Sequence, residues 1–137
     1  YDLSSMSAGR SLALLFAPAL AACGEAAPIC DNKVIREAVS PDGTLKATLF
    51  QRDCGPLTGA SSQVSVLGAN ETGTAKGNAL IADTSGGLAP AAEWGGPDIG
   101  LEWTSPTALT LTYPFRARIM SCEPSVRGVA ITCKLGD

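Results

Sequence analysis

Two turns, and the cysteines placed around them, restrict this chain more than any other feature. In "VSPDGTL", Pro41-Asp42-Gly43 has the composition of a type I turn closed by a glycine in the left-handed conformation. Read as a three-residue loop, it sets Ser40 opposite Thr44, so facing positions have residue numbers that sum to 84. Cys30 and Cys54 meet that condition. In "SVRGVAI", Arg127-Gly128 reads as a two-residue turn that sets Val126 opposite Val129, with a sum of 255, and Cys122 and Cys133 meet it. Opposed hairpin residues lie about 4.5–5.5 Å apart at Cα, within disulfide reach. Of the three connectivities open to four cysteines, register therefore favours Cys30–Cys54 with Cys122–Cys133. Arginine is a poor occupant of a left-handed turn position, and Pro124 cannot donate to a ladder, so the second hairpin should carry an edge or a bulge. Closing each loop stabilises by about 3 kcal/mol in the chain-entropy model. A metal-binding reading of the four cysteines lacks any C-x-x-C spacing.

Disulfides need an oxidising compartment, and the N-terminal stretch addresses that. The apolar run at residues 12–22, in "LALLFAPALAAC", covers at ~1.5 Å per residue roughly half of a ~30 Å hydrocarbon core. That is too short to span a bilayer. A start at Met6 with Arg10, an apolar centre and a small-residue exit are the parts of a secretory signal. The chain is predicted to organise as a signal region at 1–22, a short tether at 23–29 and one domain at 30–137.

Leu20-Ala21-Ala22-Cys23 resembles the lipobox of bacterial lipoproteins, a branched apolar residue and two small ones before a cysteine. The resemblance implies diacylglycerol on the Cys23 thiol, cleavage just before it, and a protein held on a membrane through that lipid. With Gly24 rather than Asp after the cysteine, the sorting habit of that family implies the outer membrane, facing the periplasm. Several acyl chains at ~0.8 kcal/mol per buried methylene make such an anchor firm. The competing reading is a buried helix with a core cysteine.

Composition then narrows the fold. The 137 residues allow one domain, and 15 Gly with 9 Pro against 5 % aromatics favour strands and turns. "TLKATLFQRD" alternates Leu45, Ala47 and Leu49 with Thr44, Lys46 and Thr48, the period of two of a half-buried strand. "NKVIREAV", "SQVSVL", "GNALIAD", "RARIMSC" and "GVAITCKL" read as further strands, and "GLEWTSPTALTLTYP" as a second hairpin with Trp103 on its apolar face. Residues 84–100 show no periodicity and read as a long loop. The expected architecture is all-β: a small antiparallel meander forming a sandwich or partial barrel, with two disulfide-closed hairpins.

Histidine is absent, which removes Ser-His and Cys-His nucleophile pairs and imidazole metal sites. The net charge of −3, without clustered Lys and Arg, argues against nucleic acid as a partner. No motif calls for a cofactor or a metal. "SPDG" followed by "FQRDCGPLTGASSQVSVL" resembles a family of small exported bacterial proteins with SPDG and RDCG motifs, which brings no activity with it. Cys122, Cys133 and the Gly-rich loop depart from that pattern.

Four residues stand out as candidate binding positions: Arg52, Asp53, Trp94 and Asp98. Arg52 and Asp53 beside Cys54 form either a polar cluster gripping an anion or, the favoured reading, a strand-end cap that orders the loop to Gly59. "EWGGPDIGLEW" places Trp94 near Glu93, Asp98 and Glu102, the aromatic-plus-carboxylate content of sugar-binding surfaces. Arg116 and Arg118 read as a solvated strand face, with anionic lipid or peptidoglycan contact as the sharper alternative. The expected function is a non-catalytic, lipid-anchored module that contacts an envelope protein or peptidoglycan. The alternatives are a small enzyme inhibitor of the lysozyme-inhibitor kind and a carbohydrate-contacting protein.

Overall fold

The computed structural model describes residues 29–56 and 59–137. Cys23, the apolar run before it and all of the tether but Ile29 lie outside the described residues. The described residues form nine strands: β1 (Asp31–Val39), β2 (Leu45–Asp53), β3 (Ala60–Gly68), β4 (Leu80–Asp83), β5 (Gly100–Ser105), β6 (Ala108–Tyr113), β7 (Arg118–Cys122), β8 (Ser125–Val126) and β9 (Val129–Leu135). The described residues contain no helix. The strands make a five-stranded sheet ordered β1-β2-β3-β4-β7 and a four-stranded sheet ordered β5-β6-β9-β8. Both disulfides, Cys30–Cys54 and Cys122–Cys133, are formed.

The sheets face each other over one core. Leu49, Val64, Val66 and Leu80 of the first sheet meet Leu109, Leu111, Val129 and Ile131 of the second. Alternation places these residues inward, as the period of two requires. The meander holds through β4, and then the chain departs from it. β7 returns to the first sheet beside β4, and β9 runs parallel to β6. A parallel pair needs a crossover, and the excursion through β7 and β8 supplies it.

The first hairpin reaches its expected cysteine pairing by an unexpected route. Ser40 N–H donates to the Leu45 carbonyl at 2.8 Å, so the loop has four residues rather than three and facing numbers next to it sum to 85. Asp42 explains the longer loop, since its carboxylate accepts from Ser40 Oγ, Thr44 Oγ1 and Thr44 N. A bulge at Ile35 then removes the extra residue, and from Val34 opposite Phe50 down to Asp31 opposite Asp53 the sum is 84. The two offsets cancel before the cysteines.

The second pairing also comes with a correction. Arg127-Gly128 is the turn, with Val126 opposite Val129 and both turn residues at positive φ. Cys122, however, belongs to β7 of the first sheet and Cys133 to β9 of the second. Their disulfide is therefore a strap between sheets, with Cα atoms 6.6 Å apart, and not a rung within one hairpin. On the opposite flank, side chains close the sandwich: Trp103 Nε1–H donates to the Ala38 carbonyl at 2.8 Å, and Arg36 donates to the Ile99 carbonyl at 2.5 Å.

A third layer covers the outer face of β2 and β3. Phe50, Gln63 and Ser65 point away from the core yet are buried, because residues 69–78 fold over them. Gly77 N–H donates to Gln63 Oε1, and Asn78 N–H to Ser65 Oγ. Among the described residues, no buried side-chain nitrogen or oxygen lacks a partner.

Candidate functional site

The bulge at Ile35 decides which side chains reach the flank where β1 meets the second sheet. Before it, Lys33 stands opposite Gln51, on the same face of the sheet as Leu49. After it, Arg36 stands opposite Leu49 and Ala38 opposite Ala47, both core residues. One inserted residue therefore turns Arg36 inward and Glu37 outward. An unbroken alternation would have done the reverse, so the sequence reading did not single out Arg36 or Lys33.

Across from β1, the long loop at 84–99 supplies the other wall. Trp94 is anchored by its indole nitrogen, which donates at 2.9 Å to Ser62 Oγ, and Ser62 Oγ donates in turn to the Pro97 carbonyl at 2.5 Å. Ser62 is fully buried, so this chain of bonds fixes the ring against the core. Lys33, Val34, Ile35, Glu93 and Trp94 line an open groove of about 510 Å³. Neither Lys33 nor Glu93 forms an ion pair among the described residues. The groove thus brings together an indole, an unengaged cation and an unengaged carboxylate.

The next residues along both segments join instead. Arg36 Nη2 lies 3.0 Å from Asp98 Oδ1 while also holding the Ile99 carbonyl. Asp98 in turn borders a second groove, of about 380 Å³, with Tyr113, Pro114, Phe115 and Asp137. Trp94 and Asp98 are therefore brought to one flank. Glu93 borders the first groove, Asp98 the second, and Glu102 neither.

Arg52 and Asp53 lie elsewhere and do not act together. Arg52 Nη1 donates to Asn32 Oδ1 at 2.6 Å and to the Thr74 carbonyl at 3.2 Å, tying β1 and β2 to the covering layer. Asp53 Oδ1 accepts from Gly55 N–H at 2.9 Å and orders the loop after the first disulfide. Arg118 forms a forked pair with Asp83. Arg116 precedes β7 and sits in a turn at φ 70°, its guanidinium 5.2 Å from the Phe115 ring centre. It is not part of a strand face. No group of three or more His, Cys, Asp or Glu side chains is placed to hold a metal among the described residues.

Four carboxylates are held below their ordinary range by partners: Glu37 by Lys46, Asp42 by Ser40 and Thr44, Glu71 by Arg127, and Asp83 by Arg118. Folded values below unfolded ones contribute stability that is present above the unfolded values and lost as pH falls through the folded ones. The urea midpoint is expected to stay level from neutrality to about pH 5 and to fall steadily below about pH 4. A midpoint that rose on acidification would contradict these pairings.

Comparison with family models, curated proteins and solved structures finds no match for this chain.

Proposed function

We propose that the protein is an exported, lipid-anchored envelope module that works by contact rather than catalysis, and that its contact site is the Trp94 groove. The observation that carries this reading is one groove lined by an unengaged Lys33, an unengaged Glu93 and an indole anchored through its nitrogen. A flat apolar surface sharing a groove with a donor and an acceptor suits a pyranose, whose faces are apolar and whose rim carries hydroxyls. The glycan strand of peptidoglycan is the envelope ligand of that chemistry. Two disulfides support an oxidising, extracytoplasmic setting. The lipobox-like Leu20-Ala21-Ala22-Cys23 supports a lipid on the Cys23 thiol.

Soluble peptidoglycan fragments titrated into the protein should shift the tryptophan emission, with Trp94 as the reporter and Trp103 held in the other contact, at Ala38. Lys33→Met and Glu93→Gln, both at exposed positions, should each weaken binding about tenfold, the equivalent of one charge-assisted hydrogen bond. Binding unchanged in both variants would remove the groove from the function. Inhibition of a muramidase without retention on peptidoglycan would favour the inhibitor reading instead.

A further inference from the structure

The register of the first sheet assigns every loop to one of its two ends. Asp31 faces Asp53, Asp53 faces Ala60, Ser62 faces Ala82, and Asp83 faces Arg118. The start of β1, the end of β4 and the start of β7 therefore share one end. In the second sheet, Tyr113 and Leu135 pair in parallel at the ends of their strands, and the turn at 114–117 leads directly from Tyr113 into β7. The ends of β6 and β9 thus join the same pole.

Exposed apolar side chains concentrate there. Ile29 (86 % exposed), Leu88 (63 %), Phe115 (68 %) and Leu135 (52 %) all belong to this pole, against Val39 alone at the opposite one. Val34 and Met120, also exposed, lie within strands. Phe115 is held outward by the turn whose Ala117 N–H returns to the Pro114 carbonyl, with Arg116 at positive φ stacked on its ring. An aromatic ring with its apolar body outward and a cation alongside suits the boundary between acyl chains and headgroups.

The chain enters the domain at this pole. From Cys23 to Ile29 there are six residue steps, which at 3.3–3.6 Å each reach at most about 20–22 Å. The pole itself is about 19 Å across, four strand spacings of ~4.8 Å. An anchor that short keeps Ile29 within about 22 Å of the lipid, roughly one pole width, so this pole is the end of the domain held nearest the membrane. The geometry points to a membrane-resting face: Ile29, Leu88, Phe115 and Leu135 dock on the surface of the bilayer in which the Cys23 lipid is embedded. This rests on the anchoring reading above. Charges at the pole, Arg116, Arg118 and Lys134 against Asp31, Asp53, Asp83 and Asp137, roughly offset one another, with Arg118 and Asp83 paired. The contact is therefore apolar, and it does not depend on anionic lipid.

The test uses the full lipidated chain in phosphatidylcholine vesicles whose acyl chains are brominated, since bromine quenches tryptophan on contact. Phe115→Trp and, separately, Leu88→Trp should each add emission that falls roughly twofold or more in brominated vesicles, as expected for insertion to ~5–10 Å. Val39→Trp, at the far pole, should add emission that bromine leaves intact. Raising the salt or adding phosphatidylglycerol should change none of these values. Three equal responses, or no quenching at 88 and 115 on acylated protein, would overturn the proposal, as would self-association that buries these positions. Intact mass separates the two failures: an unacylated chain defeats the anchor and this face with it, whereas an acylated chain with unquenched probes defeats the face alone.

Discussion

Replacing Cys122 and Cys133 together by serine should lower the unfolding free energy by about 3 kcal/mol in the chain-entropy model and, more tellingly, let the two sheets separate along one flank. The sequence separation is 11, against 24 for Cys30 and Cys54, so loop entropy alone ranks the second bridge as slightly the weaker. Placement reverses the consequence. Cys30–Cys54 adjoins a ladder that already holds β1 to β2 along its length. Cys122–Cys133 joins sheets that share no backbone ladder, and both of its residues pack against the core. Its loss should accelerate amide exchange throughout β7 and β8, while loss of Cys30–Cys54 should accelerate it only near residues 29–33 and 51–56. Equal exchange patterns in the two double variants would mean that the strap does not hold the sheets together.

The same bridge shows how far sequence reasoning reaches. The Arg127-Gly128 turn was legible because turn chemistry is local, and Arg127 tolerates its φ of 52° while its guanidinium grips Glu71 through both nitrogens. That the ladder stops after Ser125, so that Cys122 returns to the other sheet, depends on β4 offering an open edge at Leu80 and Ile81. Nothing near Cys122 in the sequence encodes that edge. The first hairpin makes the point differently: its cysteine pairing was readable only because the four-residue loop and the Ile35 bulge offset one another. The bulge also hid half of the candidate site. Trp94 stood out as an aromatic in an aperiodic loop, but the residues facing it follow from the phase of β1, and a bulge shifts phase without any distinctive residue. The parallel β6–β9 pairing was likewise closed to a reading built on hairpins.

Asn78→Asp, a change of one amide to a carboxylate of the same shape, should cost about 2–4 kcal/mol at neutral pH. The ladder between β3 and β4 pairs Ser62 with Ala82 and Val64 with Leu80, which would next bring Asn78 opposite Val66. The backbone does not comply. Asn78 N–H turns to Ser65 Oγ so that Gly77 can lie over the outer face, where a Cβ would come within 2.8 Å of the Leu80 carbonyl and 2.9 Å of the Val64 carbonyl. The Asn78 side chain completes the ladder instead, accepting from Val66 N–H at 2.7 Å and donating to the Val66 carbonyl at 3.0 Å. Val66 is fully buried, so water cannot replace either bond. Aspartate keeps the acceptor, loses the donor, and sets a charge against the carbonyl. Only its protonated form restores the second bond, so its folded pKa is raised, and the penalty is small below the unfolded value near ~4 and grows as pH rises through the folded one. Denaturant titrations should show the gap between variant and parent narrowing on acidification, while Asn78→Ala, which loses both bonds and carries no titrating group, keeps its gap at every pH. A variant Asn78→Asp as stable as the parent at neutral pH would mean that this side chain does not substitute for the strand.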